Sequence, residues 1–192
     1  MRRRAHRLRT VIAIFALSAV ANGPGNAFQA PPTKAEARDG SDDFDWEIGR
    51  WETRLRYLPE PLTGSTRWLD YRGTSNVLPV LGGRANLVEL SLNGSAGRIE
   101  GASLRLYDPK ARQWTLNFAS IRSGQLTPPV HGGFDAKGRG LFYGVDEVDG
   151  RAVLVRFVIS DVTRNSARFE QAFSADAGAT WEVNWIATDM RQ

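Results

Sequence analysis

NSARFEQAFSADAGATWEVNWIAT, residues 165–188, decides the fold. It divides into two alternating stretches joined by Ser174-Ala175-Asp176-Ala177-Gly178-Ala179-Thr180, with Trp181 opening the second. Period-two alternation on either side of a polar, glycine-bearing loop is the pattern of a β-hairpin. The loop spells the Asp-box pattern, Ser-x-Asp-x-Gly-x-Thr-Trp. There the Asp and Ser/Thr oxygens cap turn amides, Gly178 takes a positive φ, and Trp181 packs the hairpin onto its neighbours. One copy cannot build a propeller, so the motif is a turn and not a site.

Outward from this hairpin the chain keeps the same grammar, and no long amphipathic helix appears after Trp51. Strands are expected at 50–58, 66–77, 84–92, 99–108, 112–121, 129–135, 139–148, 151–161, 166–174 and 180–189. Turns fall between them at Pro59–Gly64, Gly82-Gly83, Asn93-Gly94, Asp108-Pro109-Lys110, Asp135–Gly138, Asp149-Gly150 and Thr163–Asn165. Connections this short join antiparallel neighbours. About ten strands in sequence order make a meander, and a long meander closes to remove its edges. The expected fold is all-β, an antiparallel up-and-down β-barrel, with a flattened sandwich as the alternative. Phe44, Ile48 and Trp51 lie at helical spacing, which places a short helical turn before the first strand.

The N-terminus reads differently. Arg2, Arg3, Arg4, Arg7 and Arg9 precede an apolar run from Val11 to Ala21. That run is too short for a hydrocarbon core that needs ~20 residues. With Ala19-Val20-Ala21 as a small-x-small cleavage site, residues 1–21 are expected to be a signal peptide. The mature protein would then be exported, periplasmic or extracellular, with no stable membrane insertion after cleavage. The absence of cysteine excludes both a disulfide framework and a lipidated N-terminal Cys. The formal net charge is +4, but five arginines belong to the leader, so the remainder sits near −1. No basic tract remains for nucleic acid. Residues 22–41, rich in Gly, Pro, Ala and charge, read as a disordered linker. Residues 42–192 suffice for one domain with a sizeable core.

Pairing the last four strands gives an interior. A two-residue turn at Asp149-Gly150 sets Tyr143 opposite Arg156, and a fold about Thr163-Arg164 sets Arg156 opposite Gln171. The Asp-box hairpin then sets Gln171 opposite Val183. Leu141, Val145, Leu154, Val158, Phe169, Phe173, Trp181 and Trp185 share that face, and its apolar character points it inward. A polar row, Tyr143–Arg156–Gln171, crosses its middle. A buried guanidinium is costly unless partnered. Either a ligand's carboxylate or polar head meets Arg156, or Tyr and Gln with Asp146 or Glu147 satisfy it internally. Candidate ligand contacts are therefore Tyr143, Arg156, Gln171 and Trp185. Asn117 and Arg122, in the stretch that closes the fifth strand and leads into the loop Gln125–Pro129, are candidates at the mouth, although Pro128-Pro129 can equally just stiffen that connection.

Other chemistries find little support. His131 is the one histidine after the leader and lies between Pro129 and Gly132-Gly133, so a haem site lacks a second ligand. No spacing of His, Cys or carboxylates reads as a zinc or calcium site. There is no Gly-x-Ser-x-Gly elbow, and Glu170 and Glu182, a conceivable glycosidase pair, fall on the outer face. No helix follows the glycine pairs, so none forms a phosphate cradle. No catalytic residue, metal or cofactor is assigned.

Several segments recur together: Phe44-Asp45-Trp46-x-Ile48-Gly49-Arg50-Trp51, Leu104-x-Leu106-Tyr107-Asp108-Pro109, Ser120-x-Arg122-Ser123-Gly124 and Pro128-Pro129-Val130. Phe142-Tyr143-Gly144, Arg156-Phe157, Ser160-Asp161 and Glu170–Ser174 through Thr180–Trp185 follow in order. Together they resemble the lipocalin-like family of exported bacterial proteins known as domain of unknown function 1579. The resemblance spans nearly all of the chain after the leader. It implies a calycin-like barrel and carries no settled activity, cofactor or catalytic residue. Three functions fit such a barrel. It can bind a small hydrophobic or amphipathic molecule in its lumen. It can be an isomerase, cyclase or hydrolase acting there, which requires a titratable group with a perturbed pKa in the pocket. Or it can be a packed interaction module, which requires an exposed apolar patch.

Overall fold

The computed structural model describes residues 38–192. The predicted signal peptide and the predicted linker up to residue 37 lie outside the described residues. From Gly49 onward the chain forms β1 Gly49–Tyr57, β2 Leu69–Val80, β3 Ala85–Gly94, β4 Gly97–Asp108, β5 Gln113–Ser120 and β6 Gln125–Leu126. It continues with β7 Val130–Phe134, β8 Gly140–Val148, β9 Arg151–Ser160, β10 Ser166–Ser174 and β11 Glu182–Arg191. Apart from the two-residue β6, which extends β5 locally, each strand pairs antiparallel with the next along the chain. β1 then pairs with β11 and closes the ring. The result is a ten-stranded up-and-down barrel closed at the β1–β11 seam, as a meander of short turns favours. The β3–β4 turn is displaced slightly from expectation: Asn93 and Gly94 stay in the ladder, opposite Arg98 and Gly97.

One end is closed by the chain itself. A 3-10 turn, Asp45–Glu47, carries Phe44 into the barrel against Trp114, Phe134 and Phe142, with ring centroids 4.9, 5.0 and 6.0 Å away. The Trp114 indole donates to the Gly40 carbonyl at 2.8 Å, and the Tyr107 hydroxyl donates to that of Asp39. Asp39 and Gly40, expected in the linker, are thus bonded to the barrel.

The wall is thinnest between β5 and β7, where three residue pairs join the strands, Trp114–Gly132 to Leu116–Val130. Pro128 and Pro129 interrupt the ladder between β6 and β7, because proline supplies no N–H. β7 reaches β8 no further than Gly144. A Cβ at Gly144 would lie 2.5 Å from the Pro129 carbonyl oxygen, so the close approach there requires glycine. Beyond it, β8 runs free of β7 and the wall opens.

The inward face corrects the sequence reading of β8 and β9. The β8–β9 register is as expected, with Tyr143 opposite Arg156 and Val148 opposite Arg151. At the next hairpin Gln171 faces Phe157, while Arg156 faces Ala172. The connection is one residue longer than a two-residue turn: Asp161 takes φ 53°, and the Thr163 hydroxyl accepts from the amides of Asn165 and Ser166. A one-residue slip exchanges the faces. Phe142, Val155, Phe157 and Ile159 therefore point inward, and Tyr143 and Val145 are 48% and 60% exposed on the outside. A second shift, at Gln171/Ala172, puts Trp185 opposite Gln171 and Val183 opposite Ala172.

Candidate functional site in the barrel lumen

Consecutive inward residues stack into layers between the closed end and the mouth. Neighbouring strands set Tyr57, Trp185, Gln171 and Phe157 side by side. Leu55, Ala187, Phe169 and Ile159 lie one layer deeper. Thr53 and Asp189 form the next, opposite each other on β1 and β11. Leu55 and Ile159 apart, these residues line, with Leu90, Leu116 and Phe173, a cavity of about 600 Å³. A barrel of this size can hold one small ligand. Another cleft, of about 860 Å³, lies outside the barrel against residues 38–43 and the β7–β8 turn. The lumen is the stronger candidate, because apolar walls lead down to a buried polar floor.

That floor is built from five elements. Arg105 on β4 points inward at 4% exposure, over the Phe44 ring at 4.5 Å, and forms an ion pair with Glu47 of the 3-10 turn, itself 1% exposed. Asp189, on β11, is 4% exposed. Thr53 and Ser75 share a hydrogen bond of 2.6 Å beside it. Among the described residues Arg105 Nε and Asp189 Oδ1 both lack a hydrogen-bond partner, and both residues line the cavity. Orphaned polar atoms this deep are uncommon in folded proteins. Burial pushes the Asp189 carboxyl up to about 6, with the Thr53 hydroxyl and the Arg105 charge pulling it down. Burial also draws the Arg105 guanidinium below its ordinary value, with Asp189 opposing.

The residues proposed from sequence divide between the two faces. Gln171, Trp185, Asn117 and Arg122 line the cavity. Gln171 donates to Asn184 at 3.4 Å, and Trp185 meets Tyr57 edge-on at 5.8 Å. Asn117 donates to the Thr127 carbonyl and Arg122 to that of Arg98, at 3.0 and 2.9 Å, which fixes both near the mouth. Tyr143 and Arg156 are on the outer surface, so the polar row does not form. Trp181 packs with them there, 6.1 Å from the Tyr143 ring and 4.5 Å from the Arg156 guanidinium.

Sequence reasoning missed Glu47, Arg105, Asp189, Thr53 and Ser75. β4 misleads because it alternates against the usual rule. Ser103, Arg105 and Tyr107 face in, while Leu104 and Leu106 are 37% and 42% exposed. The alternation of Trp51, Thr53 and Leu55 was a usable signal for Thr53.

The remaining candidates stand apart from the lumen. His131 is exposed, with Nδ1 3.1 Å from the Thr115 hydroxyl. Glu170 accepts from Arg168 on the outer face at 3.1 Å, and Glu182 accepts from the Leu62 amide at 2.9 Å. Among the described residues no group of three His, Cys, Asp or Glu could hold a metal ion.

No family model and no curated protein sequence matches the chain. Solved structures do. An S-type phycobiliprotein lyase, CPES from Guillardia theta, aligns with a TM-score of 0.56 at 11% identity, over 83% of this chain and 98% of that chain. The structure of EF1p2_mFAP2b bound to DFHBI aligns at 0.44 and 10% identity, over 80% and 99%. At such identities the likeness to the lyase is one of fold, a closed antiparallel β-barrel.

Proposed function

We propose that this chain is an exported member of the domain of unknown function 1579 family that binds one small amphipathic molecule in its barrel. One observation carries the reading: an apolar cavity of about 600 Å³ ends at two buried charged residues, each with an orphaned polar atom. A solid barrel would have no reason to keep Arg105 and Asp189 at its centre, since apolar packing there is no less stable. Residues 1–21 support export. The segments from Phe44 to Trp185 support the family.

The test is native mass spectrometry of the protein purified from its own host. A co-purifying small molecule is expected, and it should be lost from Ala187→Trp, which fills the lumen. It should be retained by Arg156→Ala, whose side chain lies outside. A clean unliganded mass for all three, together with no uptake of any alkyl-chain probe, would sink the reading.

An enzyme is the second reading, favoured by Asp189. A carboxyl held near 6 inside a cavity is suited to moving protons at neutral pH. If Asp189 is that group, turnover of the co-purifying molecule should vanish in Asp189→Asn while the molecule still binds.

A further inference from the structure

We infer that the lumen selects hydrophobic organic cations, an amine or quaternary ammonium group on an apolar body, over carboxylates of the same length. This rests on the binding reading above and names its ligand class. At the floor, Glu47 and Asp189 stand against Arg105 alone, and Arg105 is already committed to Glu47. Its Nη1 donates to Glu47, and its Nε–H has no partner among the described residues. An anion driven to this depth would meet the uncompensated charge of Asp189.

A cation finds the reverse. Among the described residues Asp189 Oδ1 has no partner, and its almost wholly buried side chain lines the cavity. Besides Arg105, the groups around Asp189 are the hydroxyls of Thr53 and Ser75 and the carboxylate of Glu47. None of these three is cationic. The mouth has the same sign. Asp146 lies on the inward side of β8, Glu147 and Asp149 follow at the tip of the β8–β9 hairpin, and among the described residues Arg122 is the one cation lining that end. A cleft walled by low-dielectric side chains and lined by an excess of one charge concentrates ions of the other. Between mouth and floor, the aromatic side chains of Tyr57 and Trp185 line the cavity, and such rings attract cations. Aspartate at about 6 is ionised at neutral pH and above, so the floor keeps its charge there.

The experiment is calorimetric titration at pH 8 of the protein from its own host, stripped of any bound molecule. The probes are dodecyltrimethylammonium and dodecanoate, both below their micellar concentrations. The cation is expected to bind at least roughly tenfold tighter, the scale of a single favourable charge contact near a protein surface. In Asp189→Asn that preference should shrink severalfold, through weaker binding of the cation. Equal or tighter binding of dodecanoate overturns the inference and leaves the binding reading standing. A preference unchanged in Asp189→Asn overturns the floor as its source. Failure of both probes to bind overturns the binding reading with it.

Discussion

Arg191, one residue from the end of the chain, lies over the indole of Trp51, its guanidinium carbon 4.1 Å from the ring centroid. The two are register partners across the β1–β11 seam. Arg191 also donates to the carbonyls of Trp46, Ile48 and Arg164, the last two at 3.0 and 2.9 Å. One side chain thus joins the plug, the closing seam and the β9–β10 loop. Arg191→Ala should cost about 2–4 kcal/mol, from the lost cation–π contact and the stranded carbonyls. Arg191→Lys should recover little, since an ammonium cannot fork to several carbonyls while lying flat on a ring. Urea denaturation measures both. A loss near zero for the alanine variant would show that the seam closes without it.

Glu47 and Arg105 form an almost wholly buried ion pair, so removing one charge strands the other. Glu47→Gln should destabilise by about 3–5 kcal/mol. Replacing both, as Glu47→Leu with Arg105→Met, should return most of that stability, because the desolvation cost goes with the charges. Chemical denaturation of the two variants and the parent decides it. A double variant no more stable than the single would mean that the pair is worth more than its burial cost.

Asp189 gives stability a pH dependence of unusual sign. Its carboxyl is held at about 6 in the folded chain against 3.8 ordinarily. Between those values the folded state binds the extra proton, so this contribution is fully present below about 3.8 and is lost as pH rises through 6. The gap corresponds to about 3 kcal/mol. Asp189→Asn should therefore be more stable than the parent at pH 8 and similar to it near pH 3.5. Taking the difference between the two proteins removes the opposite trends of Asp39, Asp108 and Asp135, whose carboxyls are lowered by hydrogen bonds. A difference that stays flat from pH 4 to 8 would falsify the assignment.

The Asp-box hairpin is built as its sequence spells it. Asp176 accepts from the Thr180 amide and hydroxyl at 2.9 and 2.6 Å and from the Ser174 hydroxyl at 2.7 Å. These bonds, led by those from Thr180, hold its carboxyl down at about 2. Gly178, at φ 90°, closes the loop, and its carbonyl accepts from the Trp181 indole at 3.1 Å. Asp176→Ala should release the Thr180 amide to fast hydrogen exchange and shift Trp181 emission to the red, while lumen binding is retained. Unchanged exchange at Thr180 would show that the loop holds without its aspartate.

Most of the architecture was legible because each short connection left one way to pair. The run Asn165–Thr188 shows two alternating strands and a self-capping loop, and the same signals repeat from Trp51 onward. The inward face was less legible. It hung on one loop, between Ser160 and Ser166, where a single residue decides whether Arg156 or Phe157 faces the lumen. Period-two patterning could not arbitrate, since Val155, Phe157 and Ile159 compete with Leu154 and Val158 on apolar character.

The strands, their order and their antiparallel neighbours can be read along the chain, because local alternation and turn chemistry act over a few residues. The site cannot be read that way. Glu47 and Thr53 lie near the start of the barrel, Arg105 in its middle and Asp189 near its end, and closure of β1 against β11 brings them to one floor. No local pattern encodes that meeting. It follows from strand number and register around the whole ring, the long-range information that a linear reading lacks.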